Sequence, residues 1–138
     1  MPVLSAVAVR AGRFLVVDDD HGVTETVAGI LQCEGHDVRT ANNAAEALSL
    51  VAAFQPEAII VDLRMPLVNG LGFLYRLRLH SHGLAVPVAV ITGDCSVADE
   101  QLHEIRELGA ELYYKPMWGD DVVVLASELL AQSQRAAA

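Results

Sequence analysis

Cysteine, aromatic residues and positive charge are all scarce in this sequence. It has 2 cysteines, aromatic side chains make up 5% of its 138 residues, and 9 Lys and Arg stand against 18 Asp and Glu, for a formal charge of −9. Cys33 and Cys95 form no metal-ligand spacing, and we expect both to be reduced and packed. We expect no direct nucleic-acid partner for so acidic a chain, because phosphate contacts depend on clustered Lys and Arg.

Long hydrophobic runs are also missing. No run approaches the ~20 apolar residues that a membrane span needs, so we expect no membrane contact and a cytoplasmic location. Residues 1–12 are rich in Ala and Val but lack the basic start and long apolar core of a signal peptide, and we expect a flexible extension there. A length of 138 residues with 53% apolar content is typical of one compact domain.

What the sequence does contain is a regular alternation of short apolar runs with segments of helical period. The runs that predict strands are Phe14–Val17, Asp37–Ala41, Ala58–Val61, Val88–Ile91 and Leu112–Tyr114. The segments that predict helices are Val23–Leu31, Ala44–Val51, Leu71–Leu79, 96–108 and Asp120–Gln134. We assign the domain to residues 13–134 and a frayed tail to residues 135–138.

This pattern predicts an α/β fold with a parallel sheet covered on both faces, because the crossover connections place helices there. Right-handed crossovers favour a flavodoxin-like, doubly wound five-stranded sheet of order 2-1-3-4-5 with five helices.

Helix ends are also marked in the sequence. Asp20, Asn43 and Ser96 stand where N-terminal caps are expected for the first, second and fourth helices. Gly35 and Gly109 are expected to end the first and fourth helices.

Polar side chains follow four of the predicted strands, at the edge where open α/β folds bind their ligands. They are Asp18, Asp19 and Asp20 after the first strand, Asp62 after the third, Thr92 after the fourth and Lys115 after the fifth. Carboxylates brought together there would repel each other by about 4 kcal/mol at ~4 Å, which indicates a site for a cation. Hard oxygen ligands select Mg²⁺ or Mn²⁺, and Mg²⁺ leaves positions open for phosphate oxygens.

The same residues carry a resemblance to a known family. The matching segments are 14–19 (Phe-Leu-Val-Val-Asp-Asp), 60–66 (Ile-Val-Asp-Leu-Arg-Met-Pro), 91–93 (Ile-Thr-Gly) and 115–116 (Lys-Pro). In this order and spacing, the chain resembles a bacterial two-component response-regulator receiver domain, over residues 13 to 134.

The resemblance implies a phosphorylation site. Asp62 matches the phospho-accepting aspartate, whose carboxylate attacks a phosphohistidine in line and becomes an acyl phosphate. Thr92 matches the hydroxyl that hydrogen-bonds one phosphoryl oxygen, and Lys115 matches the ammonium that pairs with another. Pro116 matches the family's cis-proline, whereas Asp20 has no family role and is expected only to cap a helix.

The resemblance also implies a site for Mg²⁺ (or Mn²⁺). Asp19 and Asp62 would bind the ion through their side chains, Arg64 through its backbone carbonyl, and Asp18 through water. Positioned cations stabilise the metaphosphate-like charge of phosphoryl transfer, and an ionised Asp62 needs no separate general base. We therefore expect the chain to catalyse only its own phosphorylation and dephosphorylation, not to act as an enzyme on other substrates.

Three further features of the sequence prompt hypotheses of their own. Leu112 stands where the family commonly has the aromatic ring that moves inward when the threonine engages phosphate, so a differently built switch is expected. Arg64 and Asp94 carry opposite charges at variable positions beside Asp62, and we expect an ion pair that slows the attack of water on the acyl phosphate. Trp118 is expected to be a packed anchor for the last helix, with an exposed partner contact as the alternative.

The implied partners are a histidine kinase or a histidine phosphotransfer protein. A homodimer or a target contact would use the face formed by the fourth helix, fifth strand and fifth helix, where receivers commonly associate. The chain is expected to be a stand-alone receiver or one excised from a hybrid histidine kinase or a longer regulator.

Two other functions stay open. A phosphatase of the haloacid-dehalogenase type also uses Asp, Thr, Lys and Mg²⁺, but it places Asp-x-Asp after its first strand and usually carries a cap domain. The second is a receiver-like binding module that signals without phosphorylation.

Overall fold

Five parallel strands and five helices alternate in the computed structural model, which describes residues 11–80, 83, 85–115 and 117–137. The strands are β1 Arg13–Val17, β2 Asp37–Ala41, β3 Ala58–Asp62, β4 Val88–Thr92 and β5 Ala110–Tyr114. The helices are α1 His21–Cys33, α2 Ala44–Phe54, α3 Gly70–Arg78, α4 Asp99–Glu107 and α5 Gly119–Ala137. The strands are ordered β2-β1-β3-β4-β5, as predicted. Residues 1–10 of the predicted extension lie outside the described residues, as does Pro116 with its predicted cis peptide bond.

The sheet has a separate apolar core on each face. Successive strand residues alternate between them, so that Leu15 belongs to the core that includes side chains of α2, α3 and α4, and Phe14 to the core shared with α1 and α5. All five residues of β3 and of β4 are buried. Burial on both faces explains why these strands are continuous apolar runs in the sequence.

Two of the three predicted N-terminal caps are confirmed. The side chain of Asp20 accepts hydrogen bonds from the N–H groups of Gly22 and Val23 at 2.8 and 3.3 Å. Asn43 accepts from the N–H of Glu46 at 2.8 Å. Each bond satisfies a donor that the first turn of a helix would otherwise leave unpaired.

The cap predicted at Ser96 is wrong. The N–H and the hydroxyl of Ser96 donate to the carboxylate of Asp94 at 2.8 and 2.5 Å. The helix instead begins at Asp99, after Ala98, which makes no side-chain cap bond. Asp94 therefore uses the hydroxyl that the sequence pattern assigned to the helix.

The predicted glycine ends are confirmed, since Gly35 and Gly109 have φ values of 92° and 78°. The last helix runs to Ala137, beyond the predicted end at Gln134, while the frayed tail stays a prediction. Gly12, placed in the extension by the sequence, is buried, and its N–H donates to His36 Nδ1 at 3.0 Å.

Three surface predictions are wrong. Cys33 and Cys95 are free and exposed rather than packed. Trp118 is 71% exposed, so its ring does not anchor the last helix.

No helix in the part of the chain that the structure describes has the length and hydropathy to cross a bilayer.

Candidate functional site

Three carboxylates meet at the carboxyl edge of the sheet. Asp18 and Asp19 follow β1, and Asp62 is the last residue of β3, whose Val61 pairs with Val17 of β1. One oxygen from each carboxylate lies within 4.8 Å of the others. Asp18 and Asp62 are only 4% and 6% exposed, whereas Asp19 is open to solvent. The predicted convergence of these three groups is confirmed by this geometry.

Lys115 supplies the single ammonium group within hydrogen-bond distance of this cluster among the described residues. Its Nζ lies 3.0 Å from Asp62 Oδ1 and 3.3 Å from Asp18 Oδ2. Its backbone N–H donates to the carbonyl of Thr92 at 2.8 Å, which ties the residue after β5 to the end of β4. The lysine therefore lies over both buried carboxylates.

Burial and neighbouring charges shift the pKa values of Asp18 and Lys115. Burial raises the pKa of Asp18, and the nearby Asp62 charge raises it further, against the backbone hydrogen bond from Asp20 and the charge of Lys115. Burial alone would lower the pKa of Lys115, but the hydrogen bond and charge of Asp62, joined by Asp18, raise it. The ammonium is thus held in its charged form by the carboxylates that it faces.

Thr92 lies on the strand next to Asp62, one residue further towards the carboxyl edge of the sheet. It ends β4, and the pairing of Asp62 with Ile91 places it just past Asp62. Its side chain is fully buried, and Oγ1 accepts a hydrogen bond from the N–H of Asp94 at 3.0 Å. The hydroxyl hydrogen is not used in that bond and can be donated to a phosphoryl oxygen.

The predicted ion pair between Arg64 and Asp94 is present. Arg64 follows β3, Asp94 follows β4, and their side chains meet at 2.7 Å. Hydrogen bonds from Ser96 and then from Arg64 lower the pKa of Asp94, which favours its charged carboxylate. The pair joins the loop that follows Asp62 to the loop that follows Thr92.

Leu112 is half-buried and packs against the α2–α3–α4 core, so an aliphatic side chain fills the position where a ring is common in the family. Tyr114, two residues further along β5, pairs in register with Thr92 and is 50% exposed. Tyr113 packs against the core on the other face of the sheet.

Two residues that support the site were missed from the sequence. Asn42 Nδ2 donates to the backbone oxygen of Asp18 at 2.8 Å and so holds the loop after β1. Gly70 donates its N–H to the carbonyl of Leu63 at 2.9 Å, and a Cβ at this glycine would lie 2.6 Å from the backbone oxygen of Asp62. In the sequence, the Asn69-Gly70 pair is typical only of a loop, and nothing distinguishes Asn42 from its neighbour Asn43.

The donor set fits a hard divalent cation. Asp18, Asp19 and Asp62 offer carboxylate oxygens, the ligands that Mg²⁺ prefers. Three carboxylates against one ammonium leave an excess of negative charge in a partly buried site, which a divalent ion would offset. The site can therefore hold a cation beside a nucleophilic carboxylate and a charged lysine.

The chain is similar to known proteins in both sequence and fold. The family model of the response regulator receiver domain matches residues 14–124. The response regulator MprA of Mycolicibacterium vanbaalenii is 39% identical over 87 residues, which cover 63% of this chain and 37% of that protein. The MprA of Mycobacterium avium is 38% identical over the same shares. The matched stretch thus spans well under half the length of these relatives.

Solved structures give the same result. The chemotaxis protein CheY4 of Vibrio cholerae superimposes with a TM-score of 0.80 at 26% identity, covering 88% of this chain and 100% of that one. NtrX from Brucella abortus superimposes with a TM-score of 0.82 at 29% identity, covering 92% of this chain and 28% of that one.

Proposed function

Because the chain belongs to the family of response regulator receiver domains, we propose that it takes a phosphoryl group onto Asp62 from a histidine kinase or a histidine phosphotransfer protein. The observation that carries the proposal is the position of Lys115 Nζ, 3.0 Å from Asp62 Oδ1, beside the carboxylates of Asp18 and Asp19. A carboxylate with one ammonium and a divalent-cation site at hand is equipped for in-line phosphoryl transfer.

Asp62 is the nucleophile in this proposal. Its carboxylate oxygen forms a bond to phosphorus while the phosphorus–nitrogen bond of the donor's phosphohistidine breaks, and the imidazole leaves with that electron pair. Lys115 lies within reach of an oxygen of the arriving group, and the Thr92 hydroxyl, whose oxygen accepts a hydrogen bond from the N–H of Asp94, would donate its hydrogen to another. The aspartate attacks as a carboxylate, so the transfer needs no general base.

The metal belongs to the same proposal. Asp18, Asp19, Asp62 and the backbone carbonyl of Arg64 would hold Mg²⁺ (or Mn²⁺), which supplies positive charge to the phosphoryl oxygens when bound. Neither ligation nor charge stabilisation needs any residue from outside this chain.

The place of the chain in its pathway follows from the same chemistry. We propose that it acts in the cytoplasm, catalyses only its own phosphorylation and dephosphorylation, and passes the signal on by protein contact. A homodimer or target would use the surface of α4, β5 and α5, where Tyr114 and Trp118 are 50% and 71% exposed. The acidic surface supports protein rather than nucleic-acid partners.

Incubation with acetyl phosphate and Mg²⁺ tests the phosphorylation directly. The wild-type chain should gain one phosphoryl group by intact mass, and Asp62→Asn should gain none. Asp20→Asn is the matched control, because asparagine also caps a helix and Asp20 lies outside the proposed metal ligands. Absence of labelling in the wild type would contradict the proposal and favour a binding module that signals without phosphorylation.

A further inference from the structure

The loop between β3 and α3 contains a residue that breaks two local preferences at once. Leu67 has φ of 68°, a region that leucine rarely adopts, and its side chain is fully exposed, at 105% of the reference area. The N–H of Val68 donates to the carbonyl of Pro66 at 2.8 Å, so Leu67 is the central residue of a γ-turn of positive φ, which is the strained kind.

The loop is held firmly against the phosphorylation site. At one end it leaves from Asp62 and Leu63, and at the other Gly70 donates its N–H back to the carbonyl of Leu63 at 2.9 Å. A Cβ at Gly70 would lie 2.6 Å from the backbone oxygen of Asp62, so the two ends are in close contact. The outward side chain of Leu67 therefore projects from a short loop whose two ends both lie beside Asp62.

The fold itself does not account for leucine at this position. Val68 packs against the core beside it, so the turn has a structural role, but glycine or asparagine would serve that turn with less strain. A single exposed leucine is ordinary, whereas an exposed leucine in a strained turn beside the reacting group is the combination that marks a functional contact.

From these observations we infer that Leu67 is an anchor for the protein that donates the phosphoryl group, inserting into an apolar recess on that protein's surface. Asp62 is only 6% exposed, so a histidine can reach it only when the donor's surface covers the surrounding loops. A small phosphodonor has no such surface and would not contact Leu67. The inference rests on the proposed function and names a specificity-determining residue for it.

The experiment compares a protein donor with a small donor. To choose the protein donor, the histidine kinases of the source organism are purified, autophosphorylated and each mixed with the wild-type chain. The kinase that transfers its phosphoryl group fastest is then used. The small donor is acetyl phosphate with Mg²⁺. Leu67→Asn keeps a residue that tolerates positive φ while removing the apolar side chain, and Leu67→Met keeps an apolar side chain at the position.

Leu79→Asn is the matched control. Leu79 is 85% exposed but has φ of −84° and ends α3, about 13 Å along the helix axis from Gly70. The two asparagine variants thus remove similar exposed side chains at the near and far ends of the same helix.

We expect Leu67→Asn to slow transfer from the kinase about tenfold or more at subsaturating concentration, while labelling by acetyl phosphate changes less than about twofold. Its urea unfolding midpoint should stay the same or rise, because the strain at residue 67 is relieved. Leu67→Met and Leu79→Asn should retain transfer within about threefold of the wild type.

Equal transfer to the wild type and Leu67→Asn would overturn the role of Leu67 and leave the proposed function intact. A clear fall in the unfolding midpoint of Leu67→Asn would also overturn it, since the side chain would then be stabilising the fold. Failure of every kinase and of acetyl phosphate to label the wild type would instead remove the proposed function, and this inference with it.

Discussion

At the scale of single residues, the site is defined by an imbalance of charge. Asp18, Asp19 and Asp62 share one ammonium, that of Lys115, which approaches the two buried carboxylates at 3.3 and 3.0 Å. A divalent cation bound at this site would therefore share its carboxylate ligands with the lysine, and its affinity would depend on the ammonium.

Lys115→Met tests this dependence. Removing the ammonium takes away a repelling positive charge and leaves the carboxylates unpaired, so Mg²⁺ should bind more tightly, on the order of 1 kcal/mol or about fivefold in Kd. Isothermal titration calorimetry measures the change. Unchanged or weaker Mg²⁺ binding would show that lysine and metal do not share these carboxylates.

The raised pKa of Lys115 gives a pH dependence with a definite sign. A basic group whose pKa is higher in the folded state stabilises the fold fully below its unfolded value of 10.5, and this stabilisation is lost as the pH rises through the folded value. The difference in unfolding free energy between wild type and Lys115→Met should therefore be steady from pH ~7 to ~9 and shrink above about 10.5. Urea unfolding at a series of pH values measures it, and a difference that grows above that pH would contradict the assignment.

The ion pair between Arg64 and Asp94 should affect how long the phosphoryl group stays on Asp62 rather than how fast it is transferred there. The pair joins the loops beside Asp62 at 2.7 Å, where it can restrict the approach of water to an acyl phosphate. Arg64→Ala and Asp94→Ala should each shorten the phosphoryl half-life, by about threefold to tenfold, and the double variant should add little more. The half-life is measured by loss of label after removal of the donor, and unchanged values in both single variants would refute this role.

At the scale of elements, the end of the strand that contains Asp62 packs tightly against the helix that follows it. The N-terminus of α3 is in contact with the end of β3 because Gly70 has no side chain. A methyl group there would meet backbone atoms of Asp62 and Leu63 at 2.6 and 2.9 Å, which cannot rotate away.

Gly70→Ala should therefore lower the free energy of unfolding by about 1–3 kcal/mol, measured by urea denaturation. Gly29→Ala is the matched control, because Gly29 lies inside α1 and an added Cβ would meet nothing within 4 Å. That substitution should stabilise the protein by up to about 1 kcal/mol through helix propensity. Equal effects of the two substitutions would mean that the α3–β3 contact is not tight.

The elements themselves were largely predictable from the sequence, for a physical reason. Strands buried on both faces are almost wholly apolar, so Ala58–Val61 and Val88–Ile91 stand out as uninterrupted runs, and the parallel order follows from the crossovers. The absence of a cap at Ser96 could not be foreseen, because its hydroxyl donates instead to Asp94 in a local turn. The prediction that Trp118 is packed was wrong because no periodic pattern distinguishes an exposed ring from a packed one.

For the site, the residues at strand ends were predictable from the sequence, whereas the supporting residues in loops were not. Residues at strand ends are brought together by sheet topology alone, so the meeting of Asp18, Asp62 and Lys115 followed from their order in the chain. Asn42 and Gly70 act through backbone contacts that depend on the exact packing of loops, which leaves no pattern in the sequence.

At the scale of the whole molecule, metal binding should be visible as stability. An ion that binds the folded chain and not the unfolded one adds about 1.4 kcal/mol when its concentration is ten times Kd. Mg²⁺ should accordingly raise the melting temperature of the wild type and of Asp20→Asn, but much less that of Asp19→Asn. An equal rise in melting temperature in all three proteins would mean that the stabilising ion binds elsewhere on this chain, whose net charge is −9.

We propose that Asp62 itself becomes an acyl phosphate, and chemical trapping tests this claim without any indirect readout. Borohydride reduces an aspartyl phosphate to homoserine, which peptide mass spectrometry locates at a single residue. After incubation with acetyl phosphate and Mg²⁺, homoserine should be found at position 62 and not at positions 18, 19 or 20. Homoserine at another aspartate, or none at position 62 in a chain that carries label, would contradict the claim.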